Sequence, residues 1–522
     1  MHPIVQSNSN QQQSTTDSHF FKPRAILVAM TELGGLQIVL ALTGLVRNKV
    51  AAVYLKTSGM GEWSQIQGVA TTVFIIVQFG MIIGLSRNTA VVKSKKDRQL
   101  QLSVANTLMM AAAFVAMLGT VAFSLTPWNG WLLSSLGIPA RLELLLVLFI
   151  VVLAPIEGLR NNFLSFLQGM LDIRGIATKR AIAVIIATIA AIPLVKIFGI
   201  TGACLQFALA SIFLAALLGQ RCHQLGYRPI QFQWERSSAI SLAKLGGASL
   251  LVSFAYSWVD VLIRSQLIRY AGLSEAGIYQ AAFLLSSQVT QIALGSIGVF
   301  SLASTSRTTE PETISKQLHA MYRVILPISA AGLGLLGLLE RPAIQLLFSS
   351  QFQSSAELLP FLLLGNAVQA ASWVAGCPLL VCGRVRTWLT LQMIGAGMRY
   401  IAVTALLPFF GTQAIALAFL VGQLFDLCAS IVLCSGRMKI ATSRADLARI
   451  GISSALPGVL ALIGLHATLA RLSAGVFVLA AGTIILALPH SSRFTLRAAR
   501  AGMRRLSPFE TRAAESPLAP KP

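Results

Sequence analysis

Residues 93–98 read Lys93-Ser94-Lys95-Lys96-Asp97-Arg98, and residues 127–131 read Pro127-Trp128-Asn129-Gly130-Trp131. Between them, residues 101–124 form a mainly apolar run without a single charge, long enough to cross a bilayer, which takes about 20 helical residues. One end of this run is crowded with cations; the other has none and carries tryptophans, which suit the headgroup layer. The same alternation continues along the chain. Apolar runs are expected at 25–54, 64–91, 101–124, 141–169, 176–197, 200–219, 240–271, 277–304, 318–340, 355–382, 386–409, 412–435, 447–469 and 472–489.

Cations gather on every second connection. Lys22 and Arg24 precede the first run; Arg174, Lys179 and Arg180 follow the fourth; Arg221, Arg228 and Arg236 follow the sixth. Arg307 and Lys316, Arg384 and Arg386, then Arg437, Lys439, Arg444 and Arg449 continue the series, with Lys56, Lys196, Arg341 and Arg471 the main exceptions. Cation-rich loops stay in the cytoplasm, so both termini are expected inside. The sequence reads as an all-α polytopic membrane protein of about 14 spans.

Composition agrees. Of 522 residues, 55% are hydrophobic and 11% charged, and mean hydropathy is +0.72. A soluble chain could not hide that much apolar surface. The net charge of +23 does not indicate nucleic acid, because the cations lie in loops between apolar runs rather than on one folded face. The 6 cysteines lack metal-ligand spacing, and no hydrolase, zinc-protease, phosphate-loop or redox motif appears. No enzyme activity and no cofactor are expected. Residues 1–24 read as a disordered cytoplasmic leader without signal-peptide features, and 490–522 as a basic tail facing anionic inner-leaflet lipids.

The chain repeats itself. Leu45-Val46-Arg47-Asn48-Lys49-Val50 matches Leu262-Ile263-Arg264-Ser265-Gln266-Leu267, and Gly61-Glu62-Trp63 matches Gly277-Ile278-Tyr279. Further on, Leu194-Val195-Lys196-Ile197-Phe198-Gly199 matches Leu406-Leu407-Pro408-Phe409-Phe410-Gly411. Six spans separate the copies, an even number, so both enter the membrane in the same orientation. The expectation is two six-helix bundles, 25–219 and 240–435, related by a pseudo-two-fold axis along the membrane normal. A linker at 220–239 joins them, and two additional helices occupy 447–489. Such bundles can rock about a central site.

Arg47 through Ala52, Tyr54-Leu55, Ser58-Gly59-Met60-Gly61, Gln65 and Phe79-Gly80-Met81-Ile82-Ile83-Gly84 resemble the opening of polysaccharide and O-antigen flippases of the Wzx type. Phe198-Gly199-Ile200-Thr201-Gly202-Ala203 resembles that family's turn between spans five and six. These proteins belong to the multidrug/oligosaccharidyl-lipid/polysaccharide exporter superfamily. The resemblance covers the repeated spans; the extra pair is like the lipid II flippases of the same superfamily. It implies translocation of an undecaprenyl-pyrophosphate-linked oligosaccharide to the periplasmic leaflet of a bacterial inner membrane, with polymerase or glycosyltransferase partners. A lipid II or multidrug exporter, or a non-transporting scaffold of a polysaccharide assembly complex, are the alternatives.

Charges inside the spans are the candidate site, since burying one in a bilayer costs at least a few kcal/mol. Arg47 and Arg264 occupy equivalent depths and suit a pyrophosphate; they either face a common cavity or reach to the outer headgroups. Lys49 and Arg160 are further substrate-binding candidates. Asp260 lies one turn before Arg264 and can pair with it. Glu157 and Arg160 can pair within the fourth span. Arg399 and Asp426, at matched depth in adjoining spans, form either a static buried pair or an ion-coupling site. Glu32 is a third coupling candidate. Gln37, Gln65, Gln78, Gln168 and Asn161 either meet sugars or glue helices; His319 and His466 read as structural.

Overall fold

The computed structural model describes residues 23–92, 94–305, 311–440 and 442–465, with 475, 476, 478–483 and 486 beyond. These residues are helical and contain no strand. The helices are α1 (Pro23–Gln78), α2 (Met81–Val91), α3 (Lys95–Ser124), α4 (Trp128–Ser135), α5 (Glu143–Gly169), α6 (Ile173–Gln224) and α7 (Arg236–Thr305). After them come α8 (Pro311–Leu338), α9 (Glu340–Leu347), α10 (Leu359–Val381), α11 (Val385–Phe410), α12 (Gln413–Met438) and α13 (Arg444–Leu465). Among the described residues, 9 helices are long and apolar enough to cross a membrane, and the protein is a multi-pass membrane protein.

Three helices are far too long for one crossing. The 52 residues of α6 would run about 78 Å if straight, against a hydrocarbon core of about 30 Å. The helix breaks at Gly199, with φ 55° and ψ −125°, and its two legs fold back on each other. Arg221, near its end, donates to Asp172, just before its start, with Nε–Oδ2 at 2.6 Å. Likewise α1 breaks at Lys56 (φ 60°) and α7 at Gly272 (φ 89°). These are the loop-poor outer turns of the charge map.

The breaks also reveal the repeat. Gly411 has φ 55° and ψ −137°, nearly the dihedrals of Gly199, its counterpart in the matched sextets. Lys56 and Gly272 occupy corresponding turns with positive φ, a conformation glycine takes freely and lysine only at a cost.

A seam of small and polar residues joins the second leg of α1, continued by α2, to the first leg of α7. A Cβ on Gly80 would fall 2.0 Å from the Gly246 carbonyl oxygen, and one on Gly84 2.9 Å from that of Leu242. Thr72 and Ser257 share a hydrogen bond of 2.7 Å, and Asn88 donates to Ser241 at 3.2 Å. Small residues let helix backbones approach in lipid, and polar ones hold them there. At the outer end the α1 and α7 turns meet: Ser274 donates to Thr57 at 2.8 Å, and a Cβ on Gly277 would fall 1.9 Å from the Thr57 carbonyl oxygen. The two turns are in direct backbone contact there.

The connection between α6 and α7 is shorter than the expected linker, because α6 continues to Gln224 and α7 begins at Arg236. Its extended backbone is tied to α3. Gln99 donates to the Arg228 carbonyl at 3.0 Å and accepts from the Arg228 amide at 2.8 Å. Asn106 donates to the Pro229 carbonyl at 2.8 Å, and Thr107 to that of Gln233 at 2.9 Å. These donors recur at helical spacing, so one face of α3 reads the strap.

Candidate substrate and coupling site

Tyr256, Asp260 and Arg264 are spaced four residues apart on α7 and share one face. Arg399 comes from α11 and Asp426 from α12. Asp260 takes Arg399: the Nη2–Oδ1 distance is 2.8 Å, with the Arg399 side chain 4% exposed and that of Asp260 31% exposed. The guanidinium also lies over the rings of Phe419, at 5.2 Å, and Tyr256, at 5.8 Å.

The expected Arg399–Asp426 pair is therefore not formed. Glycines explain why. A Cβ on Gly422 of α12 would fall 2.2 Å from Arg399 Cγ, and one on Gly395 of α11 would fall 2.3 Å from Asp426 Oδ1. Each charge fills the notch left by a glycine on the other helix, one turn from its opposite number. The two are staggered, and Asp260 reaches Arg399 from a third helix. Asp426 instead accepts from the Tyr256 hydroxyl at 3.0 Å, while its Oδ1 is buried without a partner. Asp426 lines a cavity of about 280 Å³ with Gln369, Ser372, Trp388, Gln392 and Gln423. Among the described residues no group of three His, Cys, Asp or Glu could hold a metal ion.

Arg264 neither reaches the outer headgroups nor bonds Asp260. It is 8% exposed, its Nε donates to Gln65 Oε1 at 3.4 Å, and its Nη2 occupies the space beside Gly68. Gln65 in turn donates to Ser265 at 2.7 Å and to the Leu136 carbonyl at 2.6 Å. Arg264 is thus sealed into the seam between the two halves of the chain.

The other candidates are dispersed. Arg47 is half-buried, and its Nε has no hydrogen-bond partner. Lys49 donates to the Gln345 carbonyl of α9 at 3.1 Å. Glu157 pairs with Arg160 at 2.6 Å and accepts from Ser211. Glu32 lies on the α1 helix, its side chain outside the described residues. His319 is not alone: it pairs with buried Asp446, which also accepts from Arg449 at 3.1 Å. His466 and the basic tail fall outside the described residues. Sequence reasoning missed Tyr256, whose one signal is its position a turn before Asp260.

A polytopic helical membrane protein with matching helix breaks in its two halves and arginines buried between its helices is the class that fold and site define. No family model matches the chain. It is 22% identical over 396 residues to the lipid III flippase of Escherichia coli (strain K12), spanning 75% of this chain and 94% of that protein, and equally to the lipid III flippase of Shigella flexneri. Its fold is that of the lipid II flippase MurJ in an inward closed conformation, with TM-score 0.67 and 13% identity over 91% of this chain and 99% of MurJ. It is also that of an inward-facing multidrug resistance MATE transporter of the MOP superfamily, with TM-score 0.62 and 16% identity over 78% of this chain and 98% of that one.

Proposed function

We propose that this chain flips a lipid-linked oligosaccharide, carried on undecaprenyl pyrophosphate, across a bacterial inner membrane by alternating access. The observation that carries the reading is Arg264, a cation sealed at the junction of the two halves beside Gln65, where parting of the seam would uncover it. Arg47, its counterpart in the repeat, supplies a second guanidinium with a buried, unpartnered Nε. Guanidinium donors match phosphate oxygens better than a point charge does. Lys49 and Arg160 complete the substrate-facing cations. Asp426, with one oxygen free beside a polar cavity, serves ion coupling through Tyr256, with Asp260 and Arg399 as its charged neighbours. The lipid III flippases, 22% identical over 396 residues, support the lipid-linked class, and arginines in the wall favour an anion over a cationic drug.

The test is flipping of a pyrophosphate-linked oligosaccharide lipid in proteoliposomes. Arg264→Ala and Arg47→Ala should each abolish it while the protein still inserts, and Arg→Lys should restore only part. Full activity in the double alanine variant would refute the arginine role.

A further inference from the structure

A second pair of arginines lies in the cytoplasmic half of the first six spans. Arg160 sits nine residues before Gly169, the end of α5, about 14 Å in along the axis. Arg180 sits seven residues after Ile173, the start of α6, about 10 Å in. The two lie on helices that share one apolar cluster at this level. The acid beside Arg160 is Glu157, one turn away, engaged by Arg160 at 2.6 Å and by Ser211. Arg180 forms no ion pair among the described residues. Glu157 therefore balances Arg160 alone, and Arg180 adds a positive charge with no counter-ion among the described residues.

Reaching out to lipid headgroups does not explain Arg180. The lipid-facing stripe of the first leg of α6 is Ile182, Ile185, Ile189 and Ile192, all exposed. Arg180 falls instead on the inward stripe with Ile176, Ala183, Ala187 and Ala191, all buried. Ile176 and Ala183 pack in the same apolar cluster as Phe163 and Phe166 of α5. Next to Arg160, Asn161 is 6% exposed, and its Nδ2 has no hydrogen-bond partner. A buried amide donor without an acceptor costs about 1–3 kcal/mol, so this group lacks an acceptor that a ligand can supply.

We propose that Arg160, Arg180 and Asn161 form an anion site that receives the substrate's pyrophosphate from the cytoplasmic side, before it reaches the level of Arg47 and Arg264. This rests on the flippase reading. All three residues offer N–H donors, and the ligand they suit is a phosphoryl group with several free oxygens. The chain then holds two cationic stations at different depths: one within the first bundle near the cytoplasm, and one at the seam. Glu157 keeps Arg160 oriented while leaving its other donors available, so it is a positioning residue.

Binding of inorganic pyrophosphate to the full chain in phosphatidylcholine nanodiscs tests the site. Arg180→Gln should weaken binding about tenfold or more, with Arg180→Lys intermediate. The pair Glu157→Gln with Arg160→Gln, which removes both partners of one ion pair together, should weaken it likewise. Each variant is checked for a monodisperse profile, and the lysine variant keeps the test valid if the glutamine one misfolds. Wild-type affinity in both Arg180 variants would overturn the site. So would loss of pyrophosphate binding when phosphatidylglycerol is added to the nanodiscs, because the site would then belong to bilayer headgroups. The two readings fail separately. Flipping lost in Arg264→Ala but unchanged in Arg180→Gln would remove this inference alone. Arg180-dependent pyrophosphate binding without any flipping of the lipid-linked substrate would remove the flippase reading alone.

Discussion

Arg399 and Asp260 form a 2.8 Å ion pair between helices 139 residues apart in sequence, while Asp426, the acid nearer to Arg399 in the chain, is bound to Tyr256. One cation is thus approached by two acids, one pairing with it and the other held a turn away with an oxygen to spare. In the flippase reading proposed above, the first acid holds the fold together and the second is the one left to serve coupling.

Breaking the pair from the acid side should be costly. Asp260→Asn leaves Arg399 buried without a counter-ion and should lower stability by about 3–5 kcal/mol. Asp426→Asn removes no ion pair and should cost clearly less. Replacing both partners, Asp260→Leu with Arg399→Leu, should recover most of the loss. Thermal unfolding followed by fluorescence-detected size exclusion measures all three. A larger loss from Asp426→Asn than from Asp260→Asn would mean that Asp426 carries the pairing.

The outer turns should act as a gate. Thr57 and Ser274 side-chain oxygens are 2.8 Å apart, close enough for cysteines at these positions to satisfy disulfide geometry. With the six native cysteines replaced, Thr57→Cys with Ser274→Cys should crosslink under oxidant and stop flipping. Reductant should restore it. Undiminished flipping by the fully crosslinked protein would show that the outer turns need not part.

Acid should weaken the cytoplasmic clasp of α6. The hydrogen bond from Arg221, reinforced by its charge, holds the Asp172 carboxyl below its ordinary value. A carboxylate lowered in the folded state stabilises it above the unfolded pKa, about 3.9 for Asp. That stability is lost as pH falls through the lowered folded value. The pair is partly exposed, so the effect is about 1 kcal/mol or less. Melting of wild type and Asp172→Asn should therefore differ near neutral pH and converge in acid. A difference that grows on acidification would contradict the sign.

Much of this architecture was legible from residues alone. Span ends fall where cations cluster, because lysine and arginine cannot cross the hydrocarbon core cheaply. The repeat was legible at Gly199 and Gly411 because a positive φ in a tight membrane turn constrains the residue type. The candidate residues were legible as charges within spans: the fold brings Asp260, Arg399 and Asp426 around Tyr256, while Arg264, one turn further along α7, turns to Gln65. Their partners were not legible. Matching Arg399 to Asp426 by depth considered two helices, whereas Gly395 and Gly422 stagger the charges and α7 inserts a third acid. The seam role of Arg264 was equally hidden, because it depends on Gln65 and Gly68 of another helix.

The strap bound to α3 has a mechanical consequence. Residues 228–233 are held by Gln99, Asn106 and Thr107, and Gln101 then grips Ser238, just inside α7, at 2.8 Å. The joint between the repeated halves is therefore no loose tether, since it is riveted to the half that precedes it. If the halves swing apart, either these rivets give way or α7 flexes beyond its anchored foot. In the second case the first turns of α7 travel with the preceding helices, and the boundary between moving bodies lies some way downstream of the strap.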